Sequence, residues 1–335
     1  MTASAAPPGT RSPDNVPLPA APRSRLAGRP PGRPGRSAAT GPARRPWLLL
    51  APTLVVLAVL LGWPLVRVVL ISLQDYGLRE INTGESNYIG LDNYTALLSD
   101  RYLWTTVLPN TVGFAFVTVV LTVTVGTLVA LLMLQLNPFW RTVTGIATMV
   151  AWAVPAVTGT YVWIFIFDPL DGIGTKALGA LGLIEPGVTN VFTERFWFFA
   201  IAAMNVVHHG FPFVALTVLA GLLTISKEMQ EAATMDGAGP WRRFWSITFP
   251  TLRPVFAVVT ILSTIWDFKV FTQLYLMPGG DGGNRGVLNL GTWSYIESFA
   301  QNQYGLGSAI AVLLTVLLMA ITLVYLRVLF KEEAL

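Results

Sequence analysis

Six stretches of this chain stay apolar for about 20 residues, the length a helix needs to cross a bilayer. They run 47–73, 107–134, 142–167, 196–223, 255–277 and 308–330. Inside lipid every backbone N–H and C=O must be satisfied within the segment, so each run predicts a helix and the chain predicts an all-α membrane bundle. The composition agrees: 53% of the 335 residues are hydrophobic and 12% are charged, with a mean hydropathy of +0.58. Soluble domains carry about twice that share of charge. There is no cysteine, which removes disulfides, thiolate nucleophiles and Cys-ligated metals.

Residues 1–46 differ from the rest. They hold eight arginines and one acid, Asp14, among Pro, Ala, Gly and Ser. Such a segment buries too little apolar surface to order itself, and is expected to be disordered. It reads as a cytoplasmic tail fixing the first span rather than as a nucleic-acid-binding arm. With the N-terminus inside, the inner segments also hold Arg141, Lys227, Arg242, Arg243, Arg253, Arg327 and Lys331, against Arg79, Arg101, Lys176, Arg195 and Arg285 outside. The positive-inside rule then puts both termini in the cytoplasm, and the permease domain covers 47–335.

One inner connection is built rather than minimal. Over about 226–254, "SKEMQEAATM" predicts a helix capped by Ser226, with Glu228 in its first turn. Gly237 and Gly239 end it. Pro240 opens a second helix, in which Trp241, Phe244, Trp245 and Thr248 fall on one face. The pattern suits a helix lying on lipid, or a rigid knob for a soluble partner.

The same stretch resembles the EAA loop of the membrane subunits of binding-protein-dependent ABC importers. Glu231-Ala232-Ala233, Gly237 and Ile247-x-Phe249-Pro250 stand at that motif's spacing, with Phe249 replacing Leu. "YIGLDNYTALLSD", "NTVGF" and "YGLGSAIAVLLTVL" are similar to segments of sugar permeases of the maltose-transporter type, whose usual "LTGGGP" is here "MPGGDGG". The resemblance covers about 47–330. It implies a type I ABC importer permease fold of six helices, in a multi-pass protein of the bacterial cell membrane. It implies a coupling helix formed by Glu231, Ala232, Ala233, Asp236, Gly237, Trp241 and Phe244. The implied partners are a second permease subunit, two copies of an ATP-binding subunit and an extracytoplasmic sugar-binding protein, with alternating access as the mechanism.

Nothing in the chain supports chemistry of its own. A phosphate-cradling loop needs Gly-Lys-Ser/Thr, and none of Lys176, Lys227, Lys269 and Lys331 follows a glycine. No catalytic or metal set is seen: His208 and His209 are the only histidines, and neighbours on a helix diverge. ATP and Mg are therefore expected on the partner ATPase, and no cofactor on this chain. Polar groups inside spans are costly and face a cavity or a partner helix. Asn205, His208 and His209 in span four, and Trp266, Asp267, Lys269 and Gln273 in span five, are candidates for the sugar path. Packing between helices is the competing account, with Asp267 paired to a neighbour. An ion-gradient-driven secondary transporter, with Asp267 as ion site, is the rival function.

Overall fold

The computed structural model describes residues 44–333, save 86, 281 and 282. Most of the Arg/Pro-rich tail lies outside the described residues. Its last three, 44–46, lie in the first helix.

The described residues form sixteen α-helices and no strands. In order they are α1 (Arg44–Leu57), α2 (Trp63–Ser72), α3 (Leu78–Thr83), α4 (Asp92–Ser99), α5 (Leu108–Gln135), α6 (Pro138–Ala153), α7 (Ala156–Ile166) and α8 (Ile173–Ala180). There follow α9 (Arg195–Leu222), α10 (Lys227–Met235), α11 (Pro240–Arg243), α12 (Phe249–Thr251), α13 (Arg253–Phe268), α14 (Thr272–Leu276), α15 (Leu290–Tyr295) and α16 (Tyr304–Glu333). Five helical runs are long and apolar enough to cross a membrane: Leu49–Ser72, Leu103–Gln135, Arg195–Leu222, Arg253–Leu276 and Tyr304–Arg327.

The sixth span is not the single helix that 142–167 predicts. It is a pair, α6 and α7, bent by 92°. Pro155 is the cause: the residue before a proline is pushed out of the helical region, and Val154 sits at φ −63°, ψ 128°. Span five is interrupted as well. Helix α13 stops at Phe268, and α14 starts only at Thr272.

Helices α5 and α9 form the central pair. They approach closely because small residues line their crossing: a Cβ at Gly126 would fall 2.6 Å from the Cβ of Val214. Helix α13 packs across both, burying Phe256 and Val259 with Ala130, Met133, Val214, Val218 and Leu222.

At the N-terminal end of α5, long-range polar contacts tie the segment Asn284–Leu290 into the bundle. Asn110 donates to Gly286 O at 3.1 Å and Leu288 O at 2.9 Å, and accepts from Arg195 Nη2 at 2.6 Å. Thr111 Oγ1 accepts from Leu290 N at 2.9 Å. Glu297, buried, takes Arg285 at 3.3 Å and the indole N–H of Trp293 at 2.8 Å. Tyr102 donates to the Arg285 carbonyl while the Arg285 guanidinium stands 5.5 Å over its ring. Burial pushes the Tyr102 phenol up to about 12. The carbonyls of Gly286 and Leu288 and the N–H of Leu290 are thus satisfied by side chains from elsewhere, while a 3-10 turn, Arg285–Val287, satisfies the segment locally.

Candidate functional site

The 226–254 loop sits at the other end of α5. Ser226 Oγ accepts from Met229 N at 3.4 Å and opens α10. The helix closes in a Schellman corner: Ala238 N donates to Ala233 O at 2.9 Å, and Gly237 N to Thr234 O at 3.0 Å. Gly237 holds φ +77°, and a Cβ there would meet nothing within 4 Å. Its requirement is therefore backbone conformation and not room. The spacing of Ala233 and Gly237 is the spacing of this corner.

Arg243 completes the elbow. Its Nη1 donates to Thr234 Oγ1 at 2.8 Å, clasping the second segment to the first. Sequence reasoning missed this pair; the only signal was Thr234 and Arg243 flanking the glycine turn.

Pro240 is at the start of α11, as expected; Trp241 and Phe244 both touch Trp245, with ring centroids at 5.7 and 5.1 Å, but the aromatic face is unevenly exposed. A π-helical turn, Phe244–Thr248, follows α11 and shifts the register. Thr248 is buried and Phe244 half-buried against the α5–α9–α13 core, while Trp241 is 76% exposed. Phe244 is consequently the root of the elbow and not part of its outer surface. Met235, 88% exposed, joins Trp241 there. Glu231, Ala232 and Asp236 are exposed and Ala233 half-buried. A cleft of about 810 Å³ lies under the elbow, lined among others by Leu134, Arg141, Gln230, Glu231, Arg243 and Phe244. Arg141 caps the end of α5, donating to the carbonyls of Met133, Leu134 and Leu136 at 3.2, 2.8 and 2.9 Å.

The candidate path residues do not form one surface. Asn205 is buried, its amide 3.4 Å from Thr160 Oγ1 of α7. His208 is exposed, with its ring 6.1 Å from that of Trp163, and His209 is half-buried. Asp267 is buried with its Oδ2 lacking a hydrogen-bond partner among the described residues, while Lys269 is exposed on the turn after α13, so the two do not pair. The face proposed for Trp266, Lys269 and Gln273 is split by the break in span five, which puts a buried Gln273 on α14. Trp266 instead packs edge-on to Phe213 of α9 at 5.0 Å, and Phe213 stacks on Trp152 of α6 at 6.1 Å. The contact joins three spans just before the Pro155 bend.

A bundle of bilayer-length helices with a fixed elbow at one end defines the membrane component of a transport machine. Residues 122–332 match the family of the binding-protein-dependent transport system inner membrane component, and the chain belongs to that family. It is 37% identical to the diacetylchitobiose uptake system permease protein DasB of Streptomyces coelicolor, over 90% of this chain and 92% of that one. It is 35% identical to the trehalose/maltose transport system permease protein MalF of Thermococcus litoralis, over 85% and 94%. The fold is that of a bacterial ABC transporter involved in the import of the acidic polysaccharide alginate, with TM-score 0.70, 19% identity and coverage of 85% and 96%. The chain is thus a permease subunit of an ABC importer, and the ion-coupled alternative finds no support in these similarities.

Proposed function

We propose that this subunit conducts a carbohydrate of oligosaccharide size across the bacterial cell membrane, with both termini in the cytoplasm. It works with a second permease subunit, two ATP-binding subunits that supply ATP and Mg, and an extracytoplasmic binding protein. The substrate class rests on relatives whose names state diacetylchitobiose, trehalose and maltose. The coupling role rests on one observation. The elbow is locked internally by the Gly237 corner and the Arg243–Thr234 clasp, and rooted in the helix core by Phe244 and Thr248. Yet it leaves Met235 and Trp241 uncovered by its own chain.

A rigid lever with an apolar tip suits transmission of motion. Closure of the ATP-binding subunits around ATP moves the elbow, and the root passes that movement to α5, α9 and α13. Glu231 and Asp236 offer the docking subunit negative charge. Within the spans, Trp266 with Phe213 and Trp152 offers a stacking surface for sugar rings. The placement of Asp267 inside the α5–α13 contact favours a packing role.

The test is uptake in proteoliposomes by the complex purified with its partners, offered diacetylchitobiose, trehalose and maltose. ATP-dependent uptake of at least one is expected. Uptake driven by a proton or sodium gradient without ATP, or uptake confined to a solute of another class, would overturn the reading.

A further inference from the structure

A line of touching aromatic rings crosses the bundle end that carries Asn284–Leu290. It begins at the break in span five, where Phe271 and Tyr275 stack at 5.0 Å and 17°. Both meet Tyr295 of α15 edge-on at 5.1 Å. Tyr295 leads to Phe299 at 4.9 Å, Phe299 to Tyr304 at 6.0 Å, and Tyr304 to Tyr76 at 6.4 Å. The line is open to the surroundings in its middle: Tyr295 is 37% exposed and Phe299 61%.

The segment joining Phe299 to Tyr304 holds three consecutive exposed amides, Gln301, Asn302 and Gln303. Asn302 stands at φ 55°, the left-handed region, alone among the described non-glycine residues. The turn is held by Gln303 N on Glu297 O at 2.8 Å and Gln301 N on Ile296 O at 2.9 Å. Backbone strain of this kind persists where the surroundings impose it, and gathers at binding sites.

A membrane-interface belt of Tyr and Trp is the plain account. Belt residues spread round a bundle and meet lipid singly. Here the rings are contiguous, they come from separate segments of the chain, and amides interrupt the apolar surface. Aromatic faces beside neutral amides and phenols suit one ligand chemistry: the C–H faces of sugar rings stack on the aromatics while the hydroxyls bond to the polar groups. We propose that this line, from Tyr76 to Tyr275, is a track that passes an oligosaccharide to the helix break between α13 and α14, with the amides at 301–303 bonding its hydroxyls. The inference rests on the carbohydrate reading above.

Phe299 separates the accounts. In the full complex in proteoliposomes, uptake of whichever of diacetylchitobiose, trehalose and maltose the wild type accepts is measured for Phe299→Leu and Phe299→Tyr. The track predicts that Phe299→Leu, which keeps apolar bulk but loses the π face, raises KM about three- to tenfold, the range an aromatic contact supports. Phe299→Tyr should retain the wild-type KM. A wild-type KM for Phe299→Leu, or loss of assembly in both variants by size-exclusion chromatography, would overturn the track while leaving the transported sugar established. A wild-type complex whose uptake is confined to a solute that is not a carbohydrate would overturn the carbohydrate reading, and the track with it.

Discussion

The two ends of α5 are finished in opposite ways. At its N-terminal end the Asn284–Leu290 segment turns inward. Val287, Leu288, Asn289 and Leu290 are buried; the distant side chains of Asn110 and Thr111 take up Leu288 O and Leu290 N, and the Asn289 amide donates to Val270 O. At its C-terminal end the 226–254 elbow turns outward. Its polar contacts are its own cap, corner and clasp, and its largest apolar side chains stay uncovered. The Asn284–Leu290 segment is complete within this chain. The elbow is stiff but unfinished, which is the condition of a surface built for another protein. Rigidity alone therefore does not mark the coupling element; rigidity combined with uncovered apolar surface does.

Three substitutions test that contrast. The largest expected effect is on transport, from Gly237→Val. A β-branched residue in the left-handed region costs about 1–2 kcal/mol, and the strain falls on the corner alone because no neighbour crowds the site. ATP-dependent uptake should be nearly abolished while the melting temperature in detergent stays unchanged. A fall in melting temperature with uptake intact would reverse the roles assigned to the two ends.

Next comes Asn110→Ala. It strips partners from Gly286 O, Leu288 O and Arg195; of these Leu288 is buried, and a buried group left unsatisfied costs about 1–3 kcal/mol. Here the melting temperature should drop, which thermal unfolding in detergent would read directly.

The smallest effect concerns Tyr102, outside the spans. Burial raises its pKa from 10.0 to about 12. The folded state therefore holds this proton more tightly than the unfolded one. The stability it contributes is full below pH 10 and is lost as pH rises through 12. Tyr102→Phe should flatten the decline of melting temperature across the accessible alkaline range; an unchanged decline would remove Tyr102 from the account.

Much of this was legible in the sequence because it is local. The spans follow from runs of apolar residues. The α10 cap and the Gly237 corner follow from Ser226, Ala233 and Gly237, close together in the chain. Pro155 was visible too, yet membrane helices often absorb a proline, and a 92° bend depends on which neighbours receive the two arms. The break after Phe268 carries no Pro or Gly signal at all. The π turn at Phe244–Thr248, which rotates Phe244 inward, is set by tertiary packing and not by residue type. Contacts such as Asn110 to Leu288 join residues 178 apart, where no pattern of spacing reaches. The candidate path suffered most, since a helical wheel assumes the unbroken helix that span five lacks.

The absence of cysteine allows the central claim, that the elbow is the docking surface for the ATP-binding subunit, to be tested by single-site labelling. Met235→Cys at the elbow and Asn82→Cys on α3 are each exposed to a membrane-impermeant maleimide, in intact cells and in inverted vesicles, with and without the ATP-binding subunit. The account predicts that the elbow thiol reacts only in inverted vesicles and is protected when that subunit is present. The thiol on α3 should react in intact cells and be unaffected by the subunit. Labelling of the elbow thiol from outside intact cells, or labelling in inverted vesicles that the subunit leaves unchanged, would contradict it.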